Sequence, residues 1–292
     1  MPNAVKLISP YDLGGDDPFP IGDYGRRFLA QGDSWFSIGA IPPFKTTNVL
    51  EELRLERWAV AVNCAAPGAV LRRMTDTVRA PQFVNLLSGN VAWEWSAVLV
   101  SGGGNDLIEA IGAPPTAPRN QRLLLTPAER GVAGDAASYL SDEGWQTFTT
   151  YLGAVFAGLL DLRDKGVNRQ TPLLLHNYAL LRPRPASAGL NFGPWLQPAL
   201  VDFQVPQNVW LAIGELLMKR LGLLLNDLAA QRAASHLGTG AIQIIDSQSA
   251  GLVLADEGST GASGDWANEI HPTRGGYAKV AATWATALDA LP

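Results

Sequence analysis

The sequence predicts an α/β domain, an open parallel sheet of about five strands covered by helices. Short apolar runs recur along the chain, long helical patterns lie between and after them, and several runs end in a glycine-bearing turn. The strand candidates are residues 27–31, 58–63, 97–101, 171–176 and 241–246. Each is rich in Val, Leu or Ile rather than alternating, as expected of strands buried on both faces.

The helices follow from their start signals. Ser141 can cap a helix whose first turn holds Asp142 and Glu143, running to about Arg163. A second begins after Pro206 and continues to about Ala234, with Glu215 and Lys219 paired one turn apart. The last opens at Pro272, a favoured first-turn position, and runs to about Ala290. Strand–helix–strand alternation with right-handed crossovers gives a parallel sheet, and ligands of such sheets bind outside the carboxyl ends of the strands.

With 292 residues, 47% hydrophobic and 17% charged, the chain can build one substantial core. No linker-like break divides it, so the reading is an N-terminal extension at 1–24 followed by one domain at 25–292. Two segments depart from the rhythm. Residues 112–129 hold four prolines, and residues 182–205 hold Pro183, Pro185, Pro194 and Pro198 among Phe192, Trp195 and Phe203. Loops of this length within a domain are usually functional, and both are candidate rims or lids over a site.

Charge and composition exclude several classes. Lys and Arg number 22 against 27 Asp and Glu, a net charge of −5, so the basic footprint of a nucleic-acid binder is missing. Cys64 is the lone cysteine and can form no intrachain disulfide, which fits a reducing compartment. Residues 1–24 carry four aspartates and no apolar run, unlike a secretory signal. The most apolar stretch, 209–225, is interrupted by Glu215, Lys219 and Arg220 and reads as a core helix instead of a membrane span. The expectation is a cytoplasmic protein with no integral membrane segment. No His, Cys or Asp spacing suggests a metal. Gly102-Gly103-Gly104 fits neither the dinucleotide nor the P-loop pattern, so no cofactor is expected.

Four motifs carry chemistry. Gly32-Asp33-Ser34 follows the first strand candidate, Asn63-Cys64-Ala65-Ala66-Pro67-Gly68 the second, and Gly103-Gly104-Asn105-Asp106 the third; His271-Pro272 opens the last helix. Carboxyl ends of neighbouring parallel strands converge, so one cleft could hold all four. A serine hydroxyl needs an adjacent base, for which histidine is suited near neutral pH. An oxyanion needs preorganised donors, which the Ser34 and Gly68 amides and the Asn105 side chain could supply. Next to a helix start, His271 would be kept neutral by the macrodipole. Asp106 reads as a helix cap and His236 as a surface residue. His176 reads as a satisfied structural histidine or a second cleft residue. Trp93, Trp95, Trp195 and Trp210 are core or an aromatic acyl pocket.

In this order and on these elements, Gly32-Asp33-Ser34, Gly68, Gly103-x-Asn105-Asp106 and His271 resemble the four blocks of the SGNH, or GDSL-like, serine hydrolases. The resemblance implies a flavodoxin-like three-layer α/β/α sandwich. It also implies hydrolysis of a small-molecule, lipid or acetylated ester through an acyl-enzyme on Ser34. An acyltransferase using the same site, or a binding module with impaired catalysis, are the alternatives. The family usually has an aspartate three residues before the histidine, where this chain has Asn268. The group that orients His271 is then Asp265, Asn268 or a backbone carbonyl, with Asp265 the candidate for the third catalytic residue and Glu269 a lesser one.

Overall fold

Residues 2–37, 46–131, 134–189 and 192–292 are described by the computed structural model. Its strands are β1 (Asn3–Ala4), β2 (Lys6–Ile8), β3 (Arg26–Gly32), β4 (Arg54–Leu55), β5 (Ala59–Asn63), β6 (Ala97–Ser101), β7 (Leu173–His176) and β8 (Ile242–Ile245). Six of them form one sheet in the order β2-β5-β3-β6-β7-β8, every neighbouring pair parallel. All five expected strands are present. β6 and β7 are buried along their whole length, so both faces of the sheet are covered, which is why their sequences run apolar without alternation.

The sixth strand comes from the segment taken as an N-terminal extension. Lys6, Leu7 and Ile8 pair with Val60, Ala61 and Val62 at the edge of the sheet, and Asn3–Ala4 pairs antiparallel with β4. Three residues beside an Asp- and Pro-rich stretch are too few to show a period, so the strand was invisible in the pattern. Residues 6–8 are thus an edge strand of the domain's own sheet.

Counted from β3, the five longer strands lie in the order 2-1-3-4-5, the flavodoxin-like arrangement. The chain leaves β3 to pair β5 on one side and returns to pair β6 on the other. The point of reversal, where such sheets bind their ligands, therefore lies at the carboxyl ends of β3 and β6.

The helices are α1 (Ser34–Ser37), α2 (Val49–Glu52), α3 (Leu71–Met74), α4 (Pro81–Ser88), α5 (Gly104–Ile111), α6 (Asp142–Asp164), α7 (Gln197–Asp202), α8 (Trp210–Ser235) and α9 (Arg274–Asp289). α2 packs on α9, while α6 packs on α3, α4, α5 and α8, giving the two helical layers of an α/β/α sandwich. The Ser141 hydroxyl caps α6 at Gly144 N, 3.1 Å, as its sequence suggests. α9 starts two residues later than expected because Thr273, not His271, is its cap: the Thr273 hydroxyl accepts from Gly276 N. At the far end of α9, the buried Arg26 guanidinium donates to the Leu288 and Leu291 carbonyls, a favourable partner for a helix C-terminus. No helix among the described residues is long and apolar enough to cross a membrane.

Candidate active site

Ser34 is held where β3 stops. Gly32 approaches β6 so closely that a Cβ there would lie 2.8 Å from Ser101 Cβ and 3.0 Å from its carbonyl, so only glycine fits. The next amide, Asp33 N, donates to Ser101 O at 3.0 Å, and the chain turns at once into α1 with Ser34 as its first residue. The buried Asp33 carboxylate locks that turn. It accepts from Trp35 N at 2.9 Å, Ser101 Oγ at 2.7 Å and Tyr178 Oη at 2.5 Å. Burial pushes it up to about 6 against the pull of these donors.

The network continues inward. With its one proton given to Asp33, Ser101 Oγ accepts from His176 Nε2 (2.9 Å), and His176 Nδ1 then accepts from Ser247 Oγ (3.1 Å). His176 is fully buried and pushed down to about 3 by that burial, so it is a neutral, fully partnered ring beneath the site and does not line the cleft. His236, at the end of α8, is exposed.

His271 comes to Ser34 from the opposite end of the chain, with Nε2 2.8 Å from Ser34 Oγ. Its other nitrogen, Nδ1, lies 3.0 Å from Asn268 Oδ1. That oxygen also accepts from Ile270 N at 3.1 Å and His271 N at 2.9 Å, and two backbone donors fix which end of the amide faces the ring. An amide oxygen only accepts, so Nδ1 carries the proton and Nε2 is left to take one from Ser34. Burial holds His271 down to about 4, so the ring is neutral around pH 7.

The structure does not bring Asp265 to the imidazole. Residues 265–273 close on themselves through Thr273 N to Asp265 O and Ala267 N to His271 O. The Asp265 side chain is turned outward, where it accepts from Val253 N (2.7 Å) and Lys279 Nζ (2.6 Å). Glu269 points away from the ring as well. Its buried carboxylate accepts the backbone amides of Arg184, Trp195, Leu196 and Gln197. It thereby ties the 182–205 segment to the loop carrying His271, and the Trp195 ring meets His271 edge-on at 5.2 Å. α9 begins at Arg274, three residues past His271, so the imidazole is kept neutral by desolvation and not by the helix start.

Asn105 sits in the first turn of α5, after Gly103 at φ 100°, a left-handed conformation that favours glycine. One Asn105 amide hydrogen goes to Ala69 O at 3.0 Å, leaving the second for a ligand. Gly68, exposed with φ 72°, immediately precedes Ala69, so the second and third motifs are bonded to each other. Asp106 does not cap α5. It accepts Leu71 N at 2.9 Å and Tyr151 Oη at 2.6 Å, tying α5 to the start of α3 and the middle of α6. Cys64 is half-buried and pushed up to about 12, an inert thiol.

Ser34 and Asn105 border a narrow, mostly apolar pocket. Of the two candidate rims, 182–205 supplies Leu196 to its wall; residues 190 and 191 of that segment lie outside the described residues. Residues 112–129 instead pack on the start of α6, where Leu123 and Leu124 are buried and Arg122 holds Glu129. Of Trp93, Trp95, Trp195 and Trp210, Trp195 reaches the site, Trp95 is core, Trp93 is partly exposed and the Trp210 indole donates to Val205 O. Sequence reasoning missed Trp35, Ser101 and Tyr178. Only Ser101, a lone hydroxyl ending an apolar strand beside Gly102, left a readable signal. Among the described residues no group of three His, Cys, Asp or Glu side chains is arranged to hold a metal ion.

No family model matches the chain, and no curated protein matches it. Among solved structures it is similar to Axe2, an acetylxylan esterase from Geobacillus stearothermophilus, at 13% identity and a TM-score of 0.46, covering 91% of this chain and 94% of that one. It is similar also to LAE5, an alpha/beta hydrolase enzyme from the metagenome of Lake Arreo, Spain, at 14% identity and a TM-score of 0.46, over 92% and 97% of the two chains.

Proposed function

We propose that this chain is a serine-dependent carboxylic ester hydrolase of the SGNH type, working through an acyl-enzyme on Ser34. The observation that carries the reading is the Ser34 Oγ to His271 Nε2 contact at 2.8 Å, with the tautomer fixed from behind by Asn268. Ser34 Oγ attacks the ester carbonyl carbon while its proton passes to His271 Nε2. The oxyanion rests on the Ser34 and Gly68 amides and the free Asn105 hydrogen. The intermediate collapses by breaking the bond to the alcohol oxygen, which leaves with the proton from His271. Water then repeats the sequence on the acyl-enzyme, releasing the acid and restoring Ser34. Asn268 takes the orienting role that a carboxylate has in a Ser-His-Asp triad.

One observation favours a second reading. Asn268 brings no charge to stabilise an imidazolium, so a binding module that retains the site without turnover is its rival. Labelling with a fluorophosphonate, the modified peptide located by mass spectrometry, separates the two. Modification at Ser34, lost in His271→Ala and absent from Ser34→Ala, supports an activated nucleophile; an unlabelled, folded protein supports the binding module.

A further inference from the structure

We infer that the site takes esters that carry an anionic group, a carboxylate or a phosphate, held by Arg73 and Arg79 in a second cavity at the same end of the sheet as Ser34. The inference rests on the proposed hydrolase reading and adds the substrate class to it.

This cavity has a volume of about 390 Å3, within the range of sites that hold small molecules. Its lining includes the ends of three neighbouring parallel strands: Ser9 follows β2, Gln31 is the last residue but one of β3, and Asn63 ends β5. These are carboxyl ends, and Ser34 stands at the carboxyl end of the same β3. Gly68 and Ala69 also line the cavity, and the Ala69 carbonyl accepts from Asn105 Nδ2 at 3.0 Å. Asn105 in turn borders the narrow pocket beside Ser34. The two spaces thus adjoin through the second and third motifs, where the oxyanion would rest, and a substituent of an ester bound at Ser34 reaches the cavity past Gly68. Ala66, Pro67 and Gly68 are exposed, so a solute has access to it.

Charge singles the cavity out. Among the described residues its lining holds two cations, Arg73 and Arg79, and no carboxylate, in a chain of net charge −5. Surface cavities beside α6 and α8 and beside β8 have instead Asp161, Asp164 and Asp246 on their walls. Neither guanidinium has an ion pair or a hydrogen bond among the described residues, whereas the adjacent Arg72 is paired with Glu109. The carboxylates nearest in the chain are turned to backbone amides. Asp76 accepts from Val78 N at 2.7 Å and Arg79 N at 3.1 Å, and Asp12 from Ser9 N at 2.7 Å. A planar guanidinium presents paired N–H donors that match the two oxygens of a carboxylate or phosphate. Tyr11, 75% exposed with its hydroxyl accepting from Gln82 Nε2 at 3.0 Å, adds a ring face for the carbon skeleton that carries the anion.

The test compares esters matched except for charge. 4-Acetoxybenzoate and 4-acetoxyphenyl phosphate, with the anion on the alcohol part, are read against neutral 4-acetoxybenzamide. The p-nitrophenyl monoester of suberic acid, with the anion on the acyl part, is read against its terminal amide. Each kcat/KM is divided by the ester's uncatalysed rate. Contacts between exposed charges favour an anion by up to about fivefold for each guanidinium. At least one anion should therefore be preferred by roughly three- to twentyfold at about 0.01 M salt, and the preference should fade toward about 1 M. The larger preference tells carboxylate from phosphate and alcohol from acyl part. Arg73→Gln combined with Arg79→Gln should remove it, while Arg72→Gln, a cation outside the cavity, should keep most of it. The ratio of anionic to neutral ester is read because it does not depend on how much of a variant folds. No preference for any anion, or the same preference in the double variant as in the parent, overturns the inference and leaves the hydrolase reading intact. No hydrolysis of any ester and no fluorophosphonate label at Ser34 overturns the hydrolase reading, and the inference with it.

Discussion

Asn268→Asp tests the electrostatics of the site with a change of one side-chain atom. Asn268 Oδ1 already accepts from Ile270 N, His271 N and His271 Nδ1. A carboxylate placed there inherits three donors without moving them, so the fold and the tautomer are retained. What changes is charge. An anion within ~4–6 Å raises a histidine by about 1–3 pH units. The acid limb of kcat/KM, set by protonation of His271 at about 4 in the parent, should then move up into the range of roughly 5–7. The sign follows from the base role: activity needs the neutral ring, so it is lost as pH falls through the ring's own value, and raising that value brings the loss to higher pH.

On the alkaline side the same substitution should accelerate the enzyme. The imidazolium formed as Ser34 attacks is stabilised by ~1.4 kcal/mol for each unit of that shift. Much of this stabilisation is present in the transition state, where the proton is in transfer. At pH 8, where the ring is neutral in both proteins, kcat should rise by up to about tenfold for each unit. The assay is a pH–rate profile from pH 3.5 to 9 on both proteins with one ester. An acid limb still at about 4, with no gain at pH 8, would refute the placing of Asn268 behind His271.

Three further outcomes are expected. Asn105→Ala removes a side-chain donor and should lower kcat by ~10²–10³ with little change in KM; a loss expressed mainly in KM would remove it from the oxyanion role. Glu269→Ala strands four backbone amides in a site where the carboxylate is 1% exposed. At ~1 kcal/mol or more for each, urea unfolding should show a loss of about 4 kcal/mol, and a loss below ~1 kcal/mol would show that the 182–205 segment is held by other contacts. Acid should destabilise the fold through His176, which is held at about 3 while the unfolded ring titrates near 6.5. Between those values the unfolded chain binds the extra proton, so stability falls by about 1.4 kcal/mol per pH unit as pH drops. Asp33, raised from 3.8 to about 6, acts in the opposite sense: its contribution is present at low pH and lost as pH rises through that window. The difference in urea stability, parent minus His176→Gln, should therefore fall by about 1.4 kcal/mol per unit as pH drops from 6 to 4, and a pH-independent difference would contradict the assignment.

The parts of this molecule that were legible in its sequence are those where one residue's neighbours along the chain decide its environment. The buried strands of residues 97–101 and 171–176 show as uninterrupted apolar runs because both their faces are covered. The Ser141 cap shows because capping is settled within three residues. The turns after β3 and β6 show because close approach and a left-handed φ both demand glycine, at Gly32 and Gly103. What the sequence hides is which way a side chain turns once loops have packed. Asp265, Asn268 and Glu269 all lie within six residues of His271, and two of them are carboxylates with the charge the ring would prefer. Each is claimed by donors distant in the sequence: Asp265 by Lys279 and Val253, Glu269 by amides at 184 and 195–197. The uncharged Asn268 is left at the ring because its bonds to Ile270 N and His271 N are local, and a residue three before the histidine is the one such a turn aims at it. The family-like spacing was thus a better guide than the preference for a carboxylate, because spacing encodes the turn while charge says only what the turn would gain. Tyr178 marks the opposite limit. Its φ of 54° and its bond to Asp33, 145 residues away, are set by how β7 leaves the sheet over Gly104, and no local pattern announces either.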